Sequence, residues 1–314
     1  MASTTSFSSF VTVFMLLFSS FHNSFSCPTC DTKYPHHSIL VTKKDIDLLQ
    51  FPVNLEFLEA EWFLWGGLGH GLDVALPELT GGGPPPIGVK KANLDPLVTK
   101  IVVEFAYQEV GHLRALKDTV GLFPRPQLDL SASNFATVIN LALNKTLEPP
   151  FDPYSSSLAY MLASYAVPYV GLVGYVGTNP HLKGYKSKRL LAGLLGVESG
   201  QDAVIRTYLY ERAEQVVEPY NVTVAEITTG ISLLRNKLAG CGNKDEGVMV
   251  PLELGAENKT TSNVLSANAY SISYDRTQAE ILRIIYGTGK EDVPGLFYPK
   301  GGNGKIARRF LNHH

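Results

Sequence analysis

Apolar residues recur every three or four positions through most of this chain, the period of helices that pack by one face. The predicted helices span residues 45–66, 96–121, 157–176, 187–217, 223–238 and 276–286. Asp95 can cap the second helix, and Pro96 fits its first turn. Asp45 is a candidate cap for the first helix, and Pro52 either kinks that helix or begins it. Strand patterns are short and few, so the sequence predicts an all-α fold with a less regular C-terminal extension.

Residues 157–176 carry no charged side chain and are long enough to cross a bilayer. Pro168 and several glycines interrupt this segment, and no strongly basic flank marks a cytoplasmic side. A helix that is apolar all round is also what the centre of a helical bundle requires. We therefore expect a buried helix and no stable membrane span.

The first 26 residues have the features of a secretory signal peptide. They contain no charged side chain, carry an apolar run from Phe10 to Phe18, and place small residues at Ser24 and Ser26 before Cys27. The apolar run is shorter than the ~20 residues that a membrane span needs. The predicted regions are a signal peptide at 1–26, an N-terminal extension at 27–44, a helical bundle at 45–218 and a C-terminal extension at 219–314.

Sequons and cysteines bear on the same prediction of export. The candidate glycosylation sites are Asn144, Asn221 and Asn258, each in an Asn-x-Thr triplet. Three cysteines form an odd set, which leaves one thiol free or paired with another chain and leaves a covalent homodimer open. A disulfide from Cys27 or Cys30 to Cys241 is favoured over redox catalysis, because Cys27-Pro28-Thr29-Cys30 has no strand–helix context. The formal net charge of −2, without blocks of like charge, predicts no nucleic-acid partner.

Two short segments place polar groups on helix stripes that should be buried. Glu109 and His112 share one helix face, and Glu198 and Gln201 share another, since residues three apart lie on the same side. Buried carboxylate and imidazole groups are costly unless they are paired or bind a metal. Four-helix bundles that hold iron or manganese use carboxylates and Glu-x-x-His pairs of this kind. Glu56 and Glu59 are the candidates on the first helix, and the spacing of the stripe favours Glu59.

Four runs together are specific enough to resemble a known family. They are residues 54–61, 104–114, 197–201 and 274–287. They resemble the ferritin-like family, and within it the plant desiccation-related proteins. The resemblance implies a ferritin-like four-helix bundle, export to the apoplast or cell wall, and expression linked to water stress. It also favours Glu56 over Glu59 as the inward residue of the first helix.

The chain departs from a complete two-metal site at two places. The apolar third helix offers no carboxylate, and Gln201 stands where a histidine is expected. The remaining ligand set is Glu56, Glu109, His112 and Glu198, with Gln201 or Asp202 as a weak addition. This set suits a single iron or manganese ion and is short of carboxylates for two.

Three functions remain open at this stage, and the sequence leaves undecided whether the protein is an enzyme. The first is a protective or binding role with a degenerate carboxylate–histidine site, directed at the cell wall or a small-molecule ligand. The second is a metal-binding protein or metal-dependent oxidase that uses Glu56, Glu109, His112 and Glu198. The third is acid–base catalysis on a small molecule by His112. A buried hydrogen-bonded cluster without metal is an equally open explanation of the same residues.

Overall fold

Helices make up most of the molecule, and the predicted all-α fold is confirmed. The computed structural model describes residues 41–312. The helices are α1 Lys43–Gln50, α2 Val53–Leu68, α3 Leu72–Ala75, α4 Pro96–Val120, α5 Ala132–Leu143, α6 Ser157–Tyr165, α7 Pro168–Thr178, α8 Tyr185–Tyr210, α9 Val224–Ala239, α10 Gln278–Ile285 and α11 Gly304–Leu311. Two short strands, β1 Val216–Val217 and β2 Val222–Thr223, pair antiparallel with Val216 opposite Thr223.

Helices α2, α4, α7 and α8 close a ring around the centre of the core. Helix α2 packs most extensively on α4, and α7 packs on α8. Contacts of α4 with α8 and of α2 with α7 complete the bundle. Large aromatic side chains fill one end, where the Trp62 and Tyr160 rings stack with centroids 4.3 Å apart. The four helices therefore face one another over side chains that they bury together.

The predicted first helix is two helices, with α1 ending before Phe51 and α2 beginning after Pro52. Proline has no backbone N–H to continue the ladder, which explains the break. Thr42, not Asp45, is the N-cap of α1, and Asp45 completes a capping box with it. Oxygen atoms of Asp45 also accept hydrogen bonds from the backbone N–H groups of Lys183 and Gly184. Asp45 thus joins the start of α1 to the start of α8.

The predicted third helix is also divided, into α6 and α7, because Pro168 interrupts the backbone hydrogen bonds. The segment Ser157–His181 is long and apolar enough to cross a membrane, and 89% of its most apolar window is buried inside the protein. Its tyrosines find partners within the protein, and the Tyr160 hydroxyl donates to the Trp62 carbonyl at 2.7 Å. The core of this protein accounts for the apolar character of the segment.

The C-terminal residues return to the start of α2. The Tyr298 hydroxyl donates to the Asn54 carbonyl at 2.8 Å, and the Asn303 N–H donates to Asn54 Oδ1 at 2.7 Å. The sequence did not predict α5 or α11, and it extended the fourth helix to residue 217, whereas α8 ends at Tyr210. After α8 the chain turns, and residues 216–217 pair with β2.

Several predictions concern residues that the structure does not test. The signal peptide at 1–26, Cys27 and Cys30 lie outside the described residues. Cys241 is exposed just after α9, so its pairing stays a prediction. The boundaries of the regions 27–44, 45–218 and 219–314 stay predictions as well.

Candidate metal centre

Four polar side chains from three helices meet in the middle of the bundle. Helix α2 contributes Glu56, α4 contributes Glu109 and His112, and α8 contributes Glu198. One ligand atom from each lies within 4.8 Å of the others, and all four residues are buried. Glu109 and His112 meet because residues three apart on a helix are neighbours on its surface. We call these residues the carboxylate–histidine cluster.

The imidazole of His112 lies between the three carboxylates. Its Nδ1 is 3.2 Å from Glu56 Oε2 and 3.2 Å from Glu109 Oε2. The same nitrogen is 3.5 Å from Glu198 Oε1, too far for a good hydrogen bond. Within residues 41–312, His112 is the only cationic side chain at ion-pair distance from these carboxylates. A single ring N–H cannot hydrogen-bond well to all three of these carboxylates at once.

Helix α7 contributes a hydroxyl group to the same cluster. Tyr175 is buried, and its hydroxyl donates a hydrogen bond to Glu56 Oε1. The sequence alone did not predict this contact between Tyr175 and the cluster. The signal was present, because a buried tyrosine in a segment without charged residues still needs a hydrogen-bond partner.

A further carboxylate, that of Glu59, lies beside Glu198. Glu59 is one helical turn after Glu56 on α2 and is equally buried. A β-carbon at Gly171 of α7 would lie 3.0 Å from Glu59 Oε1 and 3.8 Å from Glu198 Oε2. The missing side chain at Gly171 therefore leaves the room that Glu59 uses. The structure places both Glu56 and Glu59 inside the bundle, and only Glu56 bonds to His112.

Gln201 and Asp202 form hydrogen bonds with different partners. The Nε2 atom of Gln201 donates to Glu109 Oε1 at 2.6 Å and to Gln108 Oε1 at 3.1 Å. Asp202 instead accepts from Arg206 Nε at 2.9 Å, so its carboxylate belongs to a separate ion pair. Gln201 is thus the neutral group that adjoins the cluster, and the half-buried Gln108 lies between it and the surface.

The pKa values show how strongly these groups interact. Burial, together with neighbouring carboxylates, raises the pKa of Glu59 and of Glu109 well above its usual range. Burial raises the pKa of Glu198 to about 7. Burial also works against the ionised form of Glu56, but the charge and hydrogen bond of His112 outweigh it and lower the pKa of Glu56. Burial lowers the pKa of His112, while Glu56 and Glu109 raise it by more, so the imidazole stays protonated at neutral pH.

Buried oxygen atoms without hydrogen-bond partners indicate what the cluster can bind. They are Glu59 Oε1, both oxygens of Glu198, and Gln201 Oε1. Leaving such groups unpaired in the interior is costly, and a metal cation would supply the missing interaction. Carboxylate oxygens with one imidazole nitrogen form the donor set that suits iron and manganese. The residues present therefore fit a metal ion.

Comparison with known proteins adds a family to this geometry. The family described as Ferritin-like domain matches residues 44–211, which include every residue of the cluster. The chain belongs to the ferritin-like family. This ferritin-like protein is 68% identical over 298 residues to a ferritin-like catalase of Nesocodon mauritianus, a match that covers 95% of this chain and 96% of that one. It is 51% identical over 286 residues to a desiccation-related protein of Craterostigma plantagineum, with 91% of each chain covered.

The resemblance of this ferritin-like protein to the plant desiccation-related proteins is thus confirmed. No solved structure gives a significant match to the chain. The resemblance favoured Glu56 over Glu59 as the inward residue, whereas the structure buries both, and it did not indicate the contact of Tyr175 with Glu56 in this ferritin-like bundle.

Proposed function

We propose that this chain binds iron or manganese at the carboxylate–histidine cluster and there converts hydrogen peroxide to water and dioxygen. The observation that carries the proposal is the set of buried donor atoms of Glu56, Glu109, His112 and Glu198 within 4.8 Å of one another. A relative that is 68% identical is named a catalase, which supports peroxide as the substrate. In the overall reaction, two molecules of peroxide give two of water and one of dioxygen.

The residues of the cluster have separable tasks in this reaction. Glu56, Glu109, His112 and Glu198 would hold the metal, and their negative charge would balance it. A bound iron or manganese ion would supply a redox-active centre for electron transfer between two peroxide molecules. Tyr175 fixes one oxygen of Glu56 and so orients the other toward the cluster. Burial of all four ligands keeps bulk water and large molecules away, which favours a substrate as small as peroxide.

The raised pKa of His112 argues against acid–base catalysis by this residue. A general base must release its proton near the working pH, and the two adjoining carboxylates keep the metal-free imidazole protonated. A metal ion at the cluster would take the place of that proton, so His112 would act as a ligand and not as a proton carrier.

Peroxide removal would also be a protective role of the kind that the sequence left open. A relative that is 51% identical is named a desiccation-related protein, and we propose that this chain acts under water stress as well. We propose that it is exported to the apoplast or cell wall as a glycoprotein. Asn144, Asn221 and Asn258 are all exposed, and each has a positive φ, at 49°, 55° and 56°. Exposed turn positions are accessible to a glycan, which supports this part of the proposal.

The test is elemental analysis and oxygen release on the secreted protein, purified without chelator or histidine tag. The site variant is Glu109→Gln with His112→Gln, and the matched control is Glu104→Gln with His181→Gln, which changes two exposed residues. We expect about one or two equivalents of iron or manganese, with peroxide-dependent oxygen release, in the wild type and the control. The site variant should lose both while keeping its helical circular dichroism.

Two results would contradict the proposal. Absence of metal after reconstitution with iron and with manganese would leave the residues as a buried hydrogen-bonded cluster. Bound metal without oxygen release would retain the metal site and reject peroxide as the substrate.

A further inference from the structure

The outward face of α8 is uncharged along most of its length. From Leu190 to Tyr210 the charged residues Glu198, Asp202 and Arg206 are all buried. The exposed residues in this stretch are Ala192, Gly193, Gly196, Val197, Ser199, Gly200, Val204, Thr207 and Tyr210. A helix face directed at water normally carries charged or polar side chains. This face lacks them over about five helical turns.

Packing among residues 41–312 does not explain the glycines in this face. A β-carbon at Gly193, Gly196 or Gly200 would meet no atom of another described element within 4 Å. Glycine in a helix interior is destabilising relative to alanine, so three open positions of this kind weaken α8 without improving the packing of these described residues. Small residues spaced in this way let the backbone of another helix approach closely.

Charges at the two ends of the face are opposite in sign and evenly placed. Arg189 lies 11 residues before Gly200, and Glu211 lies 11 residues after it. Lys186 lies 14 residues before Gly200 on α8, and Glu214 lies 14 residues after it in the turn that follows α8. All four are exposed, and within residues 41–312 the ion-pair partner of Glu211 is its half-buried neighbour Arg212. A second α8 that runs antiparallel about Gly200 would place each basic end against an acidic end.

The adjoining helix continues the same surface. Gln108 of α4 bonds to Gln201 of α8, and its neighbour Tyr107 is 54% exposed. Gly111, one turn further along α4, also has open space where a β-carbon would be. Val197 and Val204 remain 36% and 39% exposed on α8. The two valines thus flank the glycines of α8 with apolar groups, as in the core of a protein interface.

We propose that this face binds a second copy of the chain, with the two α8 helices antiparallel about a twofold axis near Gly200. A twofold interface must be complementary to itself, and the even spacing of charge around Gly200 meets that condition. Gly196 then faces Val204 of the partner subunit, and Arg189 faces Glu211 of the partner subunit. The face lies on the outer side of the helix that carries Glu198 and Gln201, so dimer formation covers that side of the bundle. This proposal is independent of the bound metal and of peroxide chemistry.

The first experiment is sedimentation analysis of the glycosylated protein with a reducing agent, which removes any dimer formed through Cys241. The wild type is expected to be a dimer, with a dissociation constant that rises with salt because of the charged ends. Gly193→Leu with Gly196→Leu adds bulk to the face and should give a monomer with unchanged helical content. Thr137→Leu, which adds the same side chain to an exposed site on α5, should leave the dimer intact.

A charge exchange tests the antiparallel arrangement. Arg189→Glu and Glu211→Arg each place like charges together, and each should weaken the dimer at least tenfold. The double variant restores opposite charges and should recover most of that loss. A monomeric wild type, a dimer unaffected by the leucines, or a double variant no better than the single ones would each overturn the proposal.

Discussion

Tyr175 on α7 donates its hydroxyl hydrogen bond to Glu56 on α2, across 119 residues of sequence. This contact ties a helix that has no carboxylate to the carboxylate–histidine cluster. Both side chains are almost fully buried, so the bond forms in an environment where a lost partner is costly. The Glu56 carboxylate is thereby held from one side by Tyr175 and from the other by His112.

Replacing Tyr175 with phenylalanine should weaken metal binding without unfolding the bundle. The change removes the donor to Glu56 and keeps the ring, and loss of an outer hydrogen bond to a ligand lowers metal affinity about 10- to 100-fold. Competition with a chelator measures the affinity. Tyr160→Phe is the control, since its hydroxyl bonds to the Trp62 carbonyl away from the cluster. An equal loss of affinity in both variants would count against a role for Tyr175.

Replacing Glu59 with glutamine should change both the pH dependence of stability and the stabilisation by added metal. Because the pKa of Glu59 is raised, it binds more protons folded than unfolded, and wild-type stability falls as the pH rises above the unfolded value. The metal-free Glu59→Gln variant should therefore lose less stability than the wild type between pH 5 and pH 9. Added manganese should raise the melting temperature of the variant less than that of the wild type. Identical manganese shifts would show that Glu59 lies outside the metal site.

The hydrogen bonds of Asp45 lead to a prediction about stability at acid pH. Burial raises its pKa, but hydrogen bonds from Lys183, Gly184 and Thr42 prevail and lower it to about 2. Its ionised form thus stabilises the fold above pH 4, and this contribution is lost as the pH falls through 2. Asp45→Asn should cost about 2 kcal/mol at pH 7 and much less at pH 2.5, as measured by urea unfolding. A difference that does not shrink with acid would contradict the assignment.

The buried Arg206 leads to a prediction about how strongly its ion pairs hold α8 to the C-terminal extension. The guanidinium is fully buried, with its central carbon 4.9 Å and 5.0 Å from the ring centroids of Tyr165 and Tyr169. Its partners are Asp202 at 2.9 Å and Asp245 at 3.6 Å. Arg206→Met leaves two buried carboxylates with less positive charge and should cost about 3–5 kcal/mol.

A surface arginine on the same part of the chain provides the comparison. Arg212 pairs with the exposed Glu211 at 2.8 Å, and Arg212→Met should cost no more than about 1 kcal/mol. Equilibrium unfolding in urea measures both variants. Equal losses for Arg206 and Arg212 would show that the buried network adds nothing to stability.

The sequence predicted what depends on local periodicity. The spacing of Glu109 and His112 is enough to place both on one helix face, and the apolar stripe is enough to turn that face inward. The capping pair Asp95 and Pro96 fixed the start of α4 to the residue. Each of these features is decided within a few residues, so no knowledge of the rest of the fold is needed.

Features that depend on the packing of distant helices could not be predicted. The spacing of the apolar stripe favoured Glu59 as an inward residue, but it could not show that Gly171 of another helix leaves the room for it or that α7 presents Tyr175 to Glu56. The helix break at Pro52 was visible as an alternative, whereas the break at Pro168 was not predicted, because periodicity continues through both positions and favours one long helix. The relation between α2 and α7 is a property of the assembled bundle.

The bonds from Asn303 and Tyr298 to Asn54 also make the start of α2 depend on residues far along the chain. Asn54 is fully buried, and its partners are 249 and 244 residues further along the chain. A product cut short near residue 290 would leave the first turn of α2 uncovered and its Asn54 groups open to water. Cellular quality control would then meet a bundle whose central helix lacks its cover.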